Sequence, residues 1–312
     1  MKQEYKVVFA GSPDFALPVL EKLFNSDEFK IELVISQEDK KRNRGKIIPT
    51  SVKNFAISNN LRVHTPKNVN DDETYALIDE IDPDFMVVVA FGQIIGNRLL
   101  DRLKNKIVNV HASLLPKYRG ASPINAALLK GEKVSGISIM MVEKGLDTGD
   151  VLYEVEVEIS ENDDYLSLSE KLSFAGAEAI LEVLKNFEKY FSKRKKQNNS
   201  EASYAGLIKK EMGLISWEDT AFENYNKVRG LKVWPGAFFS YDDVFVKVYE
   251  AETGTSKGNF PGELISISDE GIEIACTEGS LILKKIQFSN KKIMDVSDYL
   301  KGNKFLGELI RR

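Results

Sequence analysis

The sequence is poor in the residues that staple or metallate a small fold. It has one cysteine, Cys276, and two histidines in 312 residues. An intrachain disulfide framework is therefore excluded, and a structural zinc site has too few ligands. Cys276 falls in the strand-like Gly-Ile-Glu-Ile-Ala-Cys-Thr, where a buried apolar role is expected. No run of about 18 apolar residues is present, which excludes a membrane-spanning helix. The opening Met-Lys-Gln-Glu-Tyr-Lys leads into an apolar strand without the apolar core or cleavage site of a secretory signal. A cytoplasmic protein in a reducing compartment is the expectation. There is no G-x-G-x-x-G fingerprint either. Phe9-Ala10-Gly11-Ser12-Pro13-Asp14-Phe15-Ala16 reads as a strand, a tight turn permitted by Gly11, and a helix, so a dinucleotide is not expected. Internal repeats are also lacking.

What is present is an ordinary globular composition, 43% hydrophobic and 29% charged. Its length exceeds what one hydrophobic core usually supports, so two domains are expected. A net charge of −4 argues against a general nucleic-acid coat protein, yet it hides an asymmetry. Residues 185–312 hold 21 Lys and Arg against 18 Asp and Glu, whereas residues 1–184 hold 22 against 29. A specific polyanion contact near the second half is compatible with that separation.

The first 150 residues alternate short apolar runs with helical patterns. Lys6–Ala10, Ile31–Ile35, Phe85–Phe91, Ile107–His111 and Ser135–Val142 read as strands buried on both faces. Helices are predicted at about 15–25, 51–58, 72–81, 97–103 and 123–130. The alternation predicts a Rossmann-like open sheet, mostly parallel. Val151–Ile159 alternates apolar with acidic residues, as an edge strand does, and helical periodicity runs from Tyr165 to about Phe191. Ser192–Ser203 is basic and polar without periodicity and reads as the start of a linker over 192–207. Beyond about 208, short strands at Val244–Glu250, Gly262–Ser268, Gly271–Thr277 and Ser280–Phe288 predict a small β-barrel. The expected layout is a catalytic domain over 1–191, the basic linker 192–207, and an OB-like domain over 208–312.

The chemistry concentrates in 109–150. Asn109 and His111 are two apart at the end of a predicted strand and point to one side, where open α/β sheets bind ligands. Asp147 lies 36 residues on, in a glycine-bracketed turn that can return its carboxylate to His111. This trio suits acyl transfer to an amine. An Asn amide can donate to an oxyanion, a His can stabilise that charge or carry a proton, and an Asp can orient the His or accept a proton itself. Read on the residues alone, His111 can equally be a structural histidine and Asp147 an ordinary turn residue.

Asn109-x-His111-x-Ser113-Leu114-Leu115-Pro116-x-Tyr118-Arg119-Gly120, with Asp147-Thr148-Gly149-Asp150 downstream, resembles the folate-dependent formyltransferase family. The resemblance implies a formyl donor, 10-formyltetrahydrofolate, and places Asn109, His111 and Asp147 at the family's catalytic positions. It implies that the amine attacks the formyl carbon directly, through a tetrahedral intermediate, with no protein nucleophile and no required metal. Ser113, Leu114, Leu115 and Pro116 match the folate-associated loop. Phe91, Gly92, Val142 and Leu146 match segments that wall the pterin pocket.

Three further features resemble the family's tRNA-acting branch and imply methionyl-initiator tRNA as acceptor, hence a role in translation initiation. One is the opening at Phe9–Ala16. Another is the inserted loop Gln37–Pro49, with Lys40, Lys41, Arg42, Arg44 and Lys46 within seven positions. Its charge suits the phosphates of an acceptor stem, and Lys41, Arg42, Arg44 and Lys46 are the expected tRNA contacts. The loop starts Gln37-Glu38-Asp39 where the family usually shows Gln-Pro-Asp, which changes its entry geometry. The third is the landmark set Ser203-Tyr204-Ala205, Gly213–Trp217 and Val233–Gly236, with Trp217 and Trp234 expected as core anchors. Lys193–Lys196, Lys284, Lys285, Lys291, Lys292, Arg311 and Arg312 are expected to form a basic face for backbone contact. A monomer is expected. A sugar-nucleotide acceptor, formate release, or an inactive nucleic-acid-binding fold remain the alternatives.

Overall fold

The computed structural model describes residues 4–42, 46–241 and 244–302. The chain begins β1 (Tyr5–Gly11), α1 (Leu17–Phe24), β2 (Phe29–Ile35), a hairpin of β3 (Lys40–Arg42) and β4 (Lys46–Ile48), and α2 (Ser51–Ser58). It continues β5 (Val63–His64), α3 (Asp72–Ile81), β6 (Phe85–Val89), α4 (Asn97–Arg102) and β7 (Ile107–His111). Then come β8 (Arg119–Gly120), α5 (Pro123–Leu129), β9 (Val134–Met141), β10 (Val151–Glu158), α6 (Tyr165–Lys185), α7 (Phe187–Ser192) and β11 (Tyr204–Ala205).

Seven of these strands form one sheet in the order β10-β9-β7-β6-β1-β2-β5. The pairs β1–β2, β1–β6, β6–β7 and β2–β5 are parallel, while β9 and β10 close one side antiparallel. This is the expected mostly parallel sheet. The central strands carry unbroken apolar runs because helices cover both faces: Val7, Val8, Phe9 and Ala10 of β1 and all five residues of β6 are buried. Helix starts follow local capping chemistry. The Thr50 hydroxyl accepts from the Lys53 N–H at 3.1 Å, and the Asp71 carboxylate accepts from the Thr74 N–H at 2.8 Å. Helix α3 stops where Asp82 turns left-handed, at φ +45°.

After β11 follow α8 (Ala221–Gly230), β12 (Ala237–Tyr241), β13 (Val244–Gly254), β14 (Leu264–Ser268), β15 (Gly271–Ala275), β16 (Ser280–Phe288), β17 (Met294–Asp295) and α9 (Val296–Gly302). Strands β12 to β16 make an antiparallel sheet in the order β12-β13-β16-β15-β14, with β17 paired to β16. Its core is apolar and includes Trp217, Phe239, Val246, Ile274, Leu283 and Cys276. Burial pushes the Cys276 thiol up to about 11, which fits the structural role expected of it.

Two compact units emerge. One comprises Met1–Pro123, Val134–Glu158 and Ser169–Ala205; the other comprises Ile124–Lys133, Ile159–Leu168 and Gly206–Arg312. The polar stretch from 192 to 205 thus lies within the first unit. Trp217 is a core anchor, edge-on to Phe239 with ring centroids 5.4 Å apart. Trp234 is not: it is 54% exposed, because Pro235 and Gly236 (φ +80°) turn the chain into β12 directly after it. Among the described residues no helix is long and apolar enough to cross a membrane.

Candidate active site

Strand β7 delivers Asn109 and His111 to the carboxyl end of the sheet, beside the end of β6. Burial strips His111 to 5% exposure. Its Nε2 lies 3.0 Å from the Tyr118 carbonyl, and since a carbonyl only accepts, Nε2 carries the proton. Nδ1 then faces the Asp147 Oδ2 at 3.7 Å. Burial depresses the His111 pKa below the ordinary imidazole range, against the opposing pull of the Asp147 charge and the Tyr118 carbonyl. The ring is therefore neutral near pH 7, with a lone pair turned toward a carboxylate. Asn109 is half-buried, and its side-chain amide has no hydrogen-bond partner among the described residues.

Asp147 reaches this position through a left-handed backbone, φ +51°, in the connection between β9 and β10. Aspartate tolerates that region better than most residues, at a cost of about 1–2 kcal/mol. Several contacts hold it. The Gly120 N–H donates to Oδ2 at 2.8 Å. The Gln197 amide nitrogen donates to the carbonyls of Asp147 (2.9 Å) and Gly149 (2.7 Å). Gln197 Oε1 in turn accepts from Arg119 Nε (2.9 Å) and Nη2 (2.7 Å), and Nη2 also donates to Asn199 Oδ1 at 3.0 Å. Arg119 is 1% exposed and Gln197 9%.

The same dipeptide, Arg119-Gly120, pairs with Tyr204-Ala205 as a short parallel ladder. Arg119 N–H donates to the Ser203 carbonyl at 2.9 Å, and Tyr118 N–H to the Ser203 hydroxyl at 2.9 Å. Gly120 sits at φ +115°, and a Cβ there would meet the Ala205 carbonyl oxygen at 2.6 Å. Only glycine can present its N–H to Asp147 while lying this close to β11.

The remaining expected site residues divide by what holds them. The Ser113 hydroxyl donates to the Lys117 carbonyl at 2.6 Å, and the Ser113 carbonyl accepts from Ser138 Oγ at 2.7 Å. Leu115 packs with Met140 and Val151, and its N–H donates to Ser138 Oγ at 2.9 Å. Leu114 lies over Gly136, where a Cβ would collide with it. Pro116, half-buried, accepts from the Ser203 N–H at 3.3 Å. Phe91 is buried with Ile95 and Leu99, with Val142 packed against that cluster. The Phe91 carbonyl accepts from Gln37 Nε2 at 2.7 Å, and Gly92 (φ +78°) gives that amide room. Leu146 is 60% exposed and lies against Gly120, an apolar surface beside the Asp147 carboxylate.

In the basic insertion, Lys41 pairs with Ile47 and Arg42 with Lys46 on the β3–β4 hairpin. Arg44, Arg311 and Arg312 lie outside the described residues, as do the side chains of Lys41, Arg42 and Lys46. Of the expected basic face, Lys285 pairs with Glu250 at 2.8 Å and Lys284 with Glu252 at 3.2 Å, whereas Lys193, Lys195, Lys196, Lys291 and Lys292 are exposed. Among the described residues no group of three or more His, Cys, Asp or Glu could hold a metal ion. Arg119, Gly120 and Ser203 stood in the recognised motifs without a role. Gln197 had no signal at all, being one amide in a polar run.

Residues 5–184 match the formyl transferase family model, and residues 207–304 match the formyl transferase C-terminal domain. The chain is 50% identical over 301 residues to methionyl-tRNA formyltransferase of Finegoldia magna, covering 96% of this chain and 97% of that one. In fold it is similar to methionyl-tRNA formyltransferase from Clostridium thermocellum (TM-score 0.55, 17% identity, covering 89% of this chain and 99% of that one). It is also similar to HypX from Aquifex aeolicus in complex with tetrahydrofolic acid (TM-score 0.60, 16% identity, covering 96% of this chain and 47% of that longer one).

Proposed function

The chain belongs to the methionyl-tRNA formyltransferase family of enzymes, and on that premise we propose that it transfers the formyl group of 10-formyltetrahydrofolate to the α-amino group of methionyl-initiator tRNA. The observation that carries the reading is the His111–Asp147 pair at 3.7 Å, beside the unpartnered Asn109 amide at the end of β7.

In this reaction a bond forms between the amine nitrogen and the formyl carbon, the bond from that carbon to the folate nitrogen breaks, and one proton moves from the attacking to the leaving nitrogen. The Asn109 amide is free to donate to the oxyanion that develops on the formyl oxygen, a role worth about 3–4 kcal/mol in other oxyanion sites. His111 and Asp147 handle the proton. A neutral Nδ1 and a carboxylate oxygen face each other with no hydrogen between them, so the pair can hold the proton shed by the amine and return it to the leaving nitrogen. Neutral His111 suits that task because its depressed pKa keeps Nδ1 unprotonated at pH 7.

Donor binding falls to the carboxyl ends of β6 and β7. Exposed Leu146 and half-buried Val142 and Leu114 offer apolar surface for a pterin ring, and Phe91-Gly92 is held as a formed turn by Gln37. When bound, the folate supplies an activated formyl group on a nitrogen able to leave. The insertion 37–49 and the exposed lysines at 193, 195 and 196 supply the positive charge that tRNA phosphates need. The work is that of a cytoplasmic protein of translation initiation.

A panel of acceptors tests this reading: methionyl-initiator tRNA, an amino-sugar nucleotide and water, each with 10-formyltetrahydrofolate and the purified chain. Transfer to the tRNA alone is expected. Transfer to the sugar nucleotide, or formate release without tRNA formylation, would replace the acceptor while keeping the donor chemistry.

A further inference from the structure

We propose that Gln197 is a positioning residue for this reaction: with Arg119 behind it, it clamps the backbone of the Asp147 turn so that the carboxylate faces His111. The inference rests on the reading of Asp147 as a proton-handling group. Regular backbone pairing reaches only the ends of that turn, through Met141 N–H to the Asp150 carbonyl (2.9 Å) and Val142 N–H to the Ile107 carbonyl (3.0 Å). The turn lies between the last residue of β9 and the first of β10, and it passes through left-handed backbone at Asp147 and at Gly145 (φ +131°). Contacts from elsewhere must select this conformation.

The Gln197 amide does so with both hydrogens of one nitrogen, bonding the carbonyls of Asp147 and Gly149 at 2.9 and 2.7 Å. Its orientation is fixed by chemistry. Flipping the amide would turn its NH2 toward the Arg119 guanidinium and its oxygen toward two carbonyls, losing four hydrogen bonds at once. Arg119 holds the oxygen side with Nε and Nη2 in a fork and is itself buried. The next residue, Gly120, gives its N–H to the Asp147 carboxylate. One dipeptide thus secures Asp147 twice, by the Gly120 backbone in front and by the Arg119 side chain acting through Gln197 behind.

Loss of the Gln197 amide leaves two carbonyls without their donor and the buried guanidinium with only its bond to Asn199 Oδ1. The turn then relaxes, and the carboxylate leaves its station 3.7 Å from Nδ1. Both Gln197 amide hydrogens and its oxygen are already committed to the turn and to Arg119, and the residue is buried, so its removal is expected to act on the chemical step rather than on substrate binding.

The test uses the full chain with Gln197→Ala, Gln197→Glu and Asp147→Asn, assayed for tRNA formylation at a temperature where each keeps the wild-type circular dichroism. Glutamate can still accept from Arg119 but, when ionised, has no hydrogen for the two carbonyls, so it tests the clamp with the Arg119 contact retained. Both Gln197 variants are expected to lower kcat about 10- to 100-fold, with KM for donor and tRNA within about twofold of wild type. The acid limb of their kcat profile should also shift to lower pH, because the Asp147 charge that favours protonated His111 has retreated. If Asp147→Asn keeps wild-type kcat, the underlying reading of Asp147 fails. If Asp147→Asn collapses while both Gln197 variants keep wild-type kcat and acid limb, that reading stands and the clamp is overturned. A kcat loss matched by an equal loss of folate binding, with the limb unmoved, would make Gln197 a mere support of the fold and also overturn it.

Discussion

Two segments of the first unit converge on Asp147, and their compositions are opposite. Ile107–Gly120 begins as an apolar strand, continues through a recognisable motif, and brings His111 and the Gly120 N–H to the carboxylate. Ser192–Ala205 is polar and basic and has the composition of a tether, yet it buries Gln197 beneath the same turn and pairs Tyr204-Ala205 with Arg119-Gly120. On the proposed roles, the difference teaches that reacting groups and the groups that aim them are coded differently. A reacting group needs a particular chemical type at a strand end, which leaves a mark in the sequence. An aiming group needs only the right hydrogen-bond inventory at one point in space, and any polar run can supply that.

Substitutions can break or sharpen the contrast, and the largest effects belong to the first segment. His111→Ala and Asp147→Asn should each lower kcat by about 10²–10⁴, with tRNA binding retained in a filter-binding assay. Asn109→Ala should follow at about 10²–10³ in kcat, read in the same assay without a change in the acid limb. The sign of that limb follows from burial. His111 has a folded pKa below its ordinary 6.5, so the proton-accepting form persists at pH 7. It is lost only as pH falls through the depressed value, so the midpoint of the acid limb of rate against pH should lie below 6.5. Gly120→Ala joins the two segments in one experiment. A Cβ at φ +115° facing the Ala205 carbonyl at 2.6 Å should cost about 1–3 kcal/mol, seen as a lower Tm together with a lower kcat. The smallest effect is electrostatic and lies in neither segment. Arg42→Ala with Lys46→Ala should leave folate affinity alone and make the slope of log tRNA affinity against log salt shallower by about 1–2.

Legibility followed the same division. Strands β1, β2, β6, β7 and β9 are readable within a few residues because strands buried on both faces leave unbroken apolar runs, and β10 because an edge strand leaves an apolar–acidic alternation. The predicted helix from Tyr165 to about Phe191 breaks into α6 and α7 at Asn186, since periodicity alone does not register an interruption of one residue. Helix α8 leaves little hydrophobic stripe in the sequence because it buries Asn224, Asn226 and Arg229 among its few apolar residues. Its start was still marked, by the reciprocal Thr220–Glu223 cap. Strand β12 follows the Trp234-Pro235-Gly236 landmark; Trp234, expected as an anchor, is exposed, and the buried aromatics are Phe238 and Phe239 just beyond it. In the site, the types and spacing of Asn109, His111 and Asp147 were legible. The Tyr118 carbonyl and the Gly120 N–H were not, because backbone groups carry no residue identity.

Single-turnover transfer tests the central claim most directly. Wild type and His111→Ala, each saturated with 10-formyltetrahydrofolate, are mixed with methionyl-initiator tRNA while tRNA binding is followed separately. Rapid formylation by wild type, with a rate at least about 100-fold lower in His111→Ala at unchanged tRNA affinity, is the predicted result. Equal rates in the two proteins, or a loss explained wholly by weaker tRNA binding, would contradict it.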